Sequence, residues 1–125
     1  MREIKFRAWD KDEKRIVEIV EILGFDFPSE KVLLCGYKVK DEIYSRRFNE
    51  LEILQFTSLI DKNGKEIYEG DIFDSPSKNK FKVIFENGCF CYQNIFDKHP
   101  IGLLKEIAKD WKIISNIYEN PELLS

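Results

Sequence analysis

QFTSLIDKNGKEIYEGDIF, from Gln55 to Phe73, carries the strongest conformational signal in the chain. Phe56 to Ile60 suits a pleated strand, and a second short run follows from Lys65 to Tyr68. Asn63-Gly64 stands between them. Asn-Gly fits the two central positions of a type I′ turn, where both residues take positive φ and the turn's twist matches that of its strands. A tight antiparallel hairpin is expected. Glu69-Gly70 then interrupts the pattern, with Gly70 in a backbone conformation that a Cβ disfavours. Asp71-Ile72-Phe73 starts a new strand.

Upstream, Ile4, Phe6 and Ala8 alternate with Glu3, Lys5 and Arg7, as in a half-buried strand with a charged outer face. Asp10 to Lys14 is a polar turn. Ile16 to Leu23 fits a helix exposing Glu18 and Glu21, or a strand with two largely apolar faces; its β-branched residues favour the strand. Gly24 to Glu30, with Pro28, reads as a loop, and Val32 to Val39 as a strand. Asp41 to Asn49 reads as a turn plus an edge strand around Ile43 and Tyr44.

Downstream, Asp74 to Asn79 is a polar loop. Lys80 to Glu86 alternates, with Phe81, Val83 and Phe85 on one face. Asn87-Gly88 is a second hairpin signal, and Cys89 to Gln93 the return strand. Asp97-Lys98-His99-Pro100 is a loop, Leu103 to Lys109 has room for one or two helical turns, and Trp111 to Ile117 is the last strand. Short antiparallel strands at this spacing suit a small barrel. The expected fold is mainly β: an N-terminal β-rich unit, residues 1–50, packed on a C-terminal five-stranded SH3-like barrel, residues 51–125. No Pro/Gly/Ser-rich linker separates them.

Three segments carry a family resemblance. Thr57-x-Leu59-x-Asp61-Lys62-Asn63-Gly64-Lys65-Glu66-Ile67-Tyr68-Glu69-Gly70-Asp71-Ile72 resembles the signature of the YopX-like family of phage and prophage proteins. Met1 to Asp10 is similar to that family's opening strand, and Asn116 to Leu124 to its closing segment. Together they reach almost end to end. Such sequences usually have Gly where this one has Ser58 and Ser115. The resemblance implies an SH3-like barrel and a phage or prophage source; it implies no mechanism.

The hydrophobic fraction of 43% is that of a globular protein, and ten Phe supply core volume. The net charge of −3 gives no global attraction to nucleic acid or anionic membrane. Residues 1–50 carry 11 basic and 11 acidic side chains, so a local basic face remains open there. The N-terminus has the pattern of a strand rather than a secretory signal, and no run reaches the ~18–20 apolar residues of a membrane span. A bacterial cytoplasmic location is expected, and three Cys fit a reducing compartment.

Candidate chemistry is sparse. Cys89-x-Cys91 is one pair where metal sites usually need two, with Cys35 and His99 distant in sequence. On a strand both Cys point to the same face, inward or outward together. His99, the single histidine, has no nucleophile motif near it. Glu66, Glu69, Asp71 and Asp74 are carboxylates that could seat a cation, but at hairpin ends carboxylates more often hold turn amides. No cofactor or metal is expected, and no enzymatic activity.

Two surfaces remain. Arg2, Lys5, Arg7, Lys11, Lys14 and Arg15 lie near Trp9 and Phe25, aromatics expected to be exposed, a mixture that single-stranded nucleic-acid binders use. Glu3, Asp10, Asp12 and Glu13 blunt it. Tyr68, Glu69, Asp71 and Tyr118 cluster at turns; each tyrosine either caps the core and bonds a turn carbonyl or lies in an interface with a partner. The expectation is a non-enzymatic phage or prophage accessory protein, a homo-oligomer working through contacts with phage or host protein. A nucleic-acid-binding module is the alternative.

Overall fold

The computed structural model describes residues 5–26, 28, 31–96 and 101–124, and among them regular structure is almost all strand. Arg2, the segment 97–100 with His99, and the side chain of Phe25 lie outside the described residues. The chain forms two compact units, one of Lys5–Leu54 and one from Gln55 onward.

In the first unit, β1 (Phe6–Asp10), β2 (Arg15–Asp26), β3 (Lys31–Val39) and β4 (Glu42–Arg47) form an antiparallel sheet in the order β4-β3-β2-β1. The alternation at Phe6, Ala8 and Asp10 does what the sequence indicates: Ala8 is buried opposite Val17. Cys35 and Tyr37 of β3 join that face, with Leu51 closing the core. β2 holds one extra residue. Pairing steps from Ile19↔Tyr37 to Glu21↔Gly36, so Val20 bulges out and is 60% exposed. The loop expected from Gly24 starts later, because Gly24 and Asp26 still pair with Leu33 and Lys31.

β5 (Leu51–Ile60) begins beside β1 and continues into the second unit. There it pairs with β6 (Glu66–Tyr68), followed by β7 (Asp71–Asp74), β8 (Lys80–Glu86), β9 (Cys89–Asn94), β10 (Gly102–Leu103) and β11 (Lys112–Asn116). Five of these make an antiparallel sheet in the order β10-β9-β8-β7-β11. Among the described residues that sheet is open: β10 and β11 are its edges, and no pairing joins them into the expected closed barrel. Its core holds Ile67, Phe73, Val83, Leu104, Ala108 and Ile113. Trp111 stacks on Phe81 (ring centroids 5.0 Å apart) and meets Tyr92 edge-on at 5.2 Å. The helical turns expected near residues 103–109 are a 3-10 segment, Leu104–Glu106, and a turn that returns the chain to Trp111.

The two Asn-Gly pairs behave differently. Asn87 (φ 54°) and Gly88 (φ 79°) both take positive φ between paired Glu86 and Cys89, as a type I′ turn requires. At the first pair Gly64 has φ 81°, but Asn63 is not among the positive-φ residues. Gly64 N–H donates to Asp61 C=O at 3.0 Å and Asp61 N–H to Lys65 C=O at 2.8 Å, the pattern of a longer loop with a single left-handed glycine. The reason is Asp61. Its Oδ1 accepts from the N–H groups of Asn63 (2.8 Å) and Lys65 (2.9 Å), and its Oδ2 from Ile113 N–H on β11 (2.9 Å). Those bonds outweigh the local preference of Asn-Gly. Ser58 has φ 70° at an irregularity between Phe56↔Tyr68 and Ile60↔Glu66. Ser115 likewise sits at the bulge of β11.

Burial alone would push the Asp61 carboxyl up, but the backbone donors Ile113, Lys65 and Asn63 more than offset this and hold it below the ordinary value. Its contribution to stability is therefore full above the unfolded-state value of about 3.9 and is lost as pH falls through the lower folded-state value. Asp61→Ala should cost about 2 kcal/mol or more, because Ile113 N–H is left buried without an acceptor. Gly64→Val and Gly88→Val should each cost about 1 kcal/mol or more, and Asn63→Ala under about 0.5 kcal/mol. Urea unfolding measures all four; a neutral Asp61→Ala would contradict the assigned role.

Candidate functional site

The turn residues singled out by the sequence hold the second unit together. Tyr68 is 4% exposed and packs on Phe56, with ring centroids 5.4 Å apart. Asp71 is buried, and its Oδ2 accepts Tyr68 N–H at 2.8 Å. Glu69 Oε1 accepts Gln55 N–H at 3.2 Å, while Glu69 N–H donates to Gln55 C=O. Asp71 pairs with Asn116 across β7 and β11, and Asn116 Oδ1 accepts from Tyr118 N–H (3.0 Å) and Glu119 N–H (2.8 Å). The two Ile-Tyr-Glu segments thus meet at one place, each turn held by a buried Asp or Asn. Gly70 (φ 84°) lies under half-buried Tyr118, where a Cβ would come within 3.1 Å of the ring.

The carboxylates do not converge. Asp74 Oδ2 stands 3.9 Å from Lys78 Nζ, and Glu66 is half-buried in β6. Among the described residues no group of three or more His, Cys, Asp or Glu is placed to hold a metal ion. Cys89 and Cys91 do not share an environment: Cys91 is buried, whereas Cys89, next to the Asn87-Gly88 turn, is exposed. Burial pushes the Cys91 and Cys35 thiols up, away from the reactive thiolate.

The N-terminal basic residues divide between surfaces. Arg7 pairs with Glu18 on the outward face of the sheet, and strand alternation puts Lys5 beside it. Lys11 Nζ lies 3.3 Å from Glu52 Oε1 and donates to Asn49 C=O. Lys14 (φ 54°) closes the β1–β2 turn by donating N–H to Asp10 C=O. Arg15 lies on the core face, over the rings of Tyr37 and Tyr44 at 5.3 and 4.9 Å. No continuous basic face joins these five, and Trp9 is half-buried.

Arg15 belongs instead to a polar network that sequence reading missed. Asp10 is fully buried, and its Oδ1 caps the following turn by accepting from Asp12 and Glu13 N–H. Its Oδ2 accepts from Tyr37 O–H at 2.5 Å and Arg46 Nε at 3.2 Å, and Arg15 Nη2 donates to Tyr37 Oη at 3.0 Å. Burial opposes ionisation of Asp10, but the Tyr37 hydroxyl, the two turn amides and Arg46 prevail, so its carboxyl is held below the ordinary value. Burial and the Asp10 bond push the Tyr37 phenol up. Asp10 in a charged run looks like a solvated turn residue; its partners lie 27 and 36 positions away. Tyr37→Phe should cost about 1–2 kcal/mol, because it removes a donor to a buried carboxylate and an acceptor from Arg15. Thermal unfolding checks this.

The outward face of the same sheet is different. Register puts Trp9, Ile16, Leu23, Leu34 and Ile43 on it, with Ile43 67% and Leu23 46% exposed. The same face carries Glu18 and Glu21 on β2, Lys38 on β3 and Arg47 on β4. The Glu21 stem lies across Gly36, where a Cβ would come within 2.8 Å of Glu21 Cγ.

No helix among the described residues is long and apolar enough to cross a membrane. Four solved chains match this fold. Protein EF1440 from Enterococcus faecalis is 28% identical over the whole of both chains, with a TM-score of 0.65. Protein yopX from Bacillus subtilis is 18% identical, also over the whole of both chains, with a TM-score of 0.58. No curated protein matches. The family model described as YopX protein matches residues 5–125, and with that span the chain belongs to the YopX family.

Proposed function

We propose that this protein acts through non-covalent contacts with protein, carrying out no reaction of its own, as an accessory protein of a phage or prophage in the bacterial cytoplasm. The first contact is with a second copy of itself, through the outward face of β2, β3 and β4. The observation that carries this reading is the exposure of Leu23 and Ile43 on a sheet face that also bears both signs of charge.

Apolar side chains left in water on a sheet forgo about 25 cal/mol per Å² of burial, and here they alternate with charged side chains on one face. Glu18 and Glu21 on β2 and Lys38 and Arg47 on β3 and β4 supply both signs of charge on one face, which is what a self-complementary two-fold interface requires. The nucleic-acid alternative draws little from the N-terminal basic residues, which divide between the two faces of the sheet and the β1–β2 turn, Lys11 being paired with Glu52.

Sedimentation velocity tests the reading. The expected result is a dimer that becomes monomer in Leu23→Glu and Ile43→Glu, with melting temperatures close to that of the parent chain. A parent chain that is monomeric across the accessible concentrations, or variants that remain dimeric, would overturn it.

A further inference from the structure

One end of the five-stranded sheet gathers cationic, amide and aromatic side chains that lie apart from the Asp61 and Asp71 turn networks and from the self-contact. A cavity of about 310 Å³ opens there, lined by Lys78, Asn79, Lys80, Asn94, Phe96 and Glu122 among others. The backbone fixes its walls. Lys78 takes φ 69° in a loop closed by Lys78 N–H to Ser75 C=O (2.9 Å) and Ser75 N–H to Asn79 C=O (3.0 Å). Ile95 N–H donates to Lys80 C=O, and Phe96 N–H to Asn94 Oδ1 at 2.9 Å, so the end of β9 is tied to the start of β8. Phe96 is nevertheless 75% exposed.

The cationic character continues past the cavity. Lys112, Asp74 and Lys80 form one cross-strand row over β11, β7 and β8. A smaller cavity, about 140 Å³, shares Lys78 and adds Lys62, Lys112 and Asp110. Four ammonium groups thus stand against Asp74, Asp110 and Glu122. Asp74 and Lys78 pair with each other, and Glu122 Oε1 accepts Asn120 Nδ2–H at 2.9 Å, so the cationic excess of this end rests on Lys62, Lys80 and Lys112.

We propose that this end of the second unit binds a short single-stranded nucleic acid. One base stacks on Phe96, the amide oxygen of Asn79 (whose nitrogen donates to Ser77 Oγ) and the amide nitrogen of Asn94 (whose oxygen accepts Phe96 N–H) meet base edges, and phosphates follow Lys80 and the lysines beyond. An exposed aromatic beside a line of cations is the combination that binds single strands with little sequence preference, since every base has a π-face. A protein partner would have to match Lys62, Lys80 and Lys112 with an acidic segment. A divalent cation is disfavoured by the same lysines. This inference is independent of the self-contact, which lies in the other unit.

The test is fluorescence anisotropy of the full chain with a labelled single-stranded oligonucleotide of about 12 nucleotides, DNA and RNA in turn. The expected result is saturable binding to at least one of them at about 50 mM salt, falling roughly 20- to 50-fold by about 200 mM as three or four phosphates are neutralised. Phe96→Ala should weaken binding about tenfold or more, with unchanged melting because the side chain is exposed. Lys78→Ala with Lys80→Ala should both weaken binding and flatten the salt dependence. Lys11→Ala with Lys14→Ala should leave it unchanged. Absence of binding to both oligonucleotides at low salt, full binding by Phe96→Ala, or loss only in the Lys11/Lys14 variant would each overturn the proposal.

Discussion

The second unit depends on one carboxylate. Asp61 is 3% exposed and accepts three backbone N–H groups, two within its own loop and one from Ile113, far along the chain. A single side chain therefore shapes the β5–β6 loop and joins it to β11. The next residue adds to the join, since Lys62 N–H donates to Trp111 C=O at 3.2 Å. Trp111 is thereby held where its ring meets Phe73, Phe81 and Tyr92, three aromatics of the unit's interior. A buried carboxylate is costly unless its oxygens are satisfied, and here the partners are amides that would otherwise be unpaired themselves.

The same device recurs at Asp10, Asp71 and Asn116, each buried at a strand end and each accepting backbone N–H groups of its own turn. This explains why these four residues, conspicuous as they are in the sequence, serve their own turns rather than a shared site. Their oxygens are committed to main-chain donors and, for Asp10 Oδ2, to Tyr37 and Arg46. What remains for contact with other molecules lies outside these networks: an apolar sheet face with mixed charge in the first unit, and a cationic end with an exposed phenylalanine in the second.

Strand positions were largely legible in the sequence, because alternation at Phe6 to Asp10 and at Lys80 to Glu86 fits one period only, whereas the run in β2 fits two and only its β-branched residues favour the strand. The Asn87-Gly88 turn was legible too, since nothing but its own backbone decides it. At Asn63-Gly64 the local preference was overridden by Asp61, whose decisive partner is on β11. The Asp10–Tyr37–Arg46 network was hidden for the same reason, its members being brought together only by strand pairing. The candidate surfaces were hidden differently. Periodicity finds which face of a strand is apolar but not whether that face is covered: Phe81, Val83 and Phe85 share one face, yet are 8%, 2% and 51% exposed. Phe96 lies past the end of β9, where no period applies.

The central claim is that the outward face of β2–β4 is covered by a second copy. Hydroxyl-radical footprinting across a dilution series measures that cover directly, side chain by side chain. Leu23 and Ile43 are expected to lose reactivity as concentration rises, together, while Phe85 and Ile101 of the other unit stay constant as exposed references. Reactivity of Leu23 and Ile43 that is high and independent of concentration would contradict the claim.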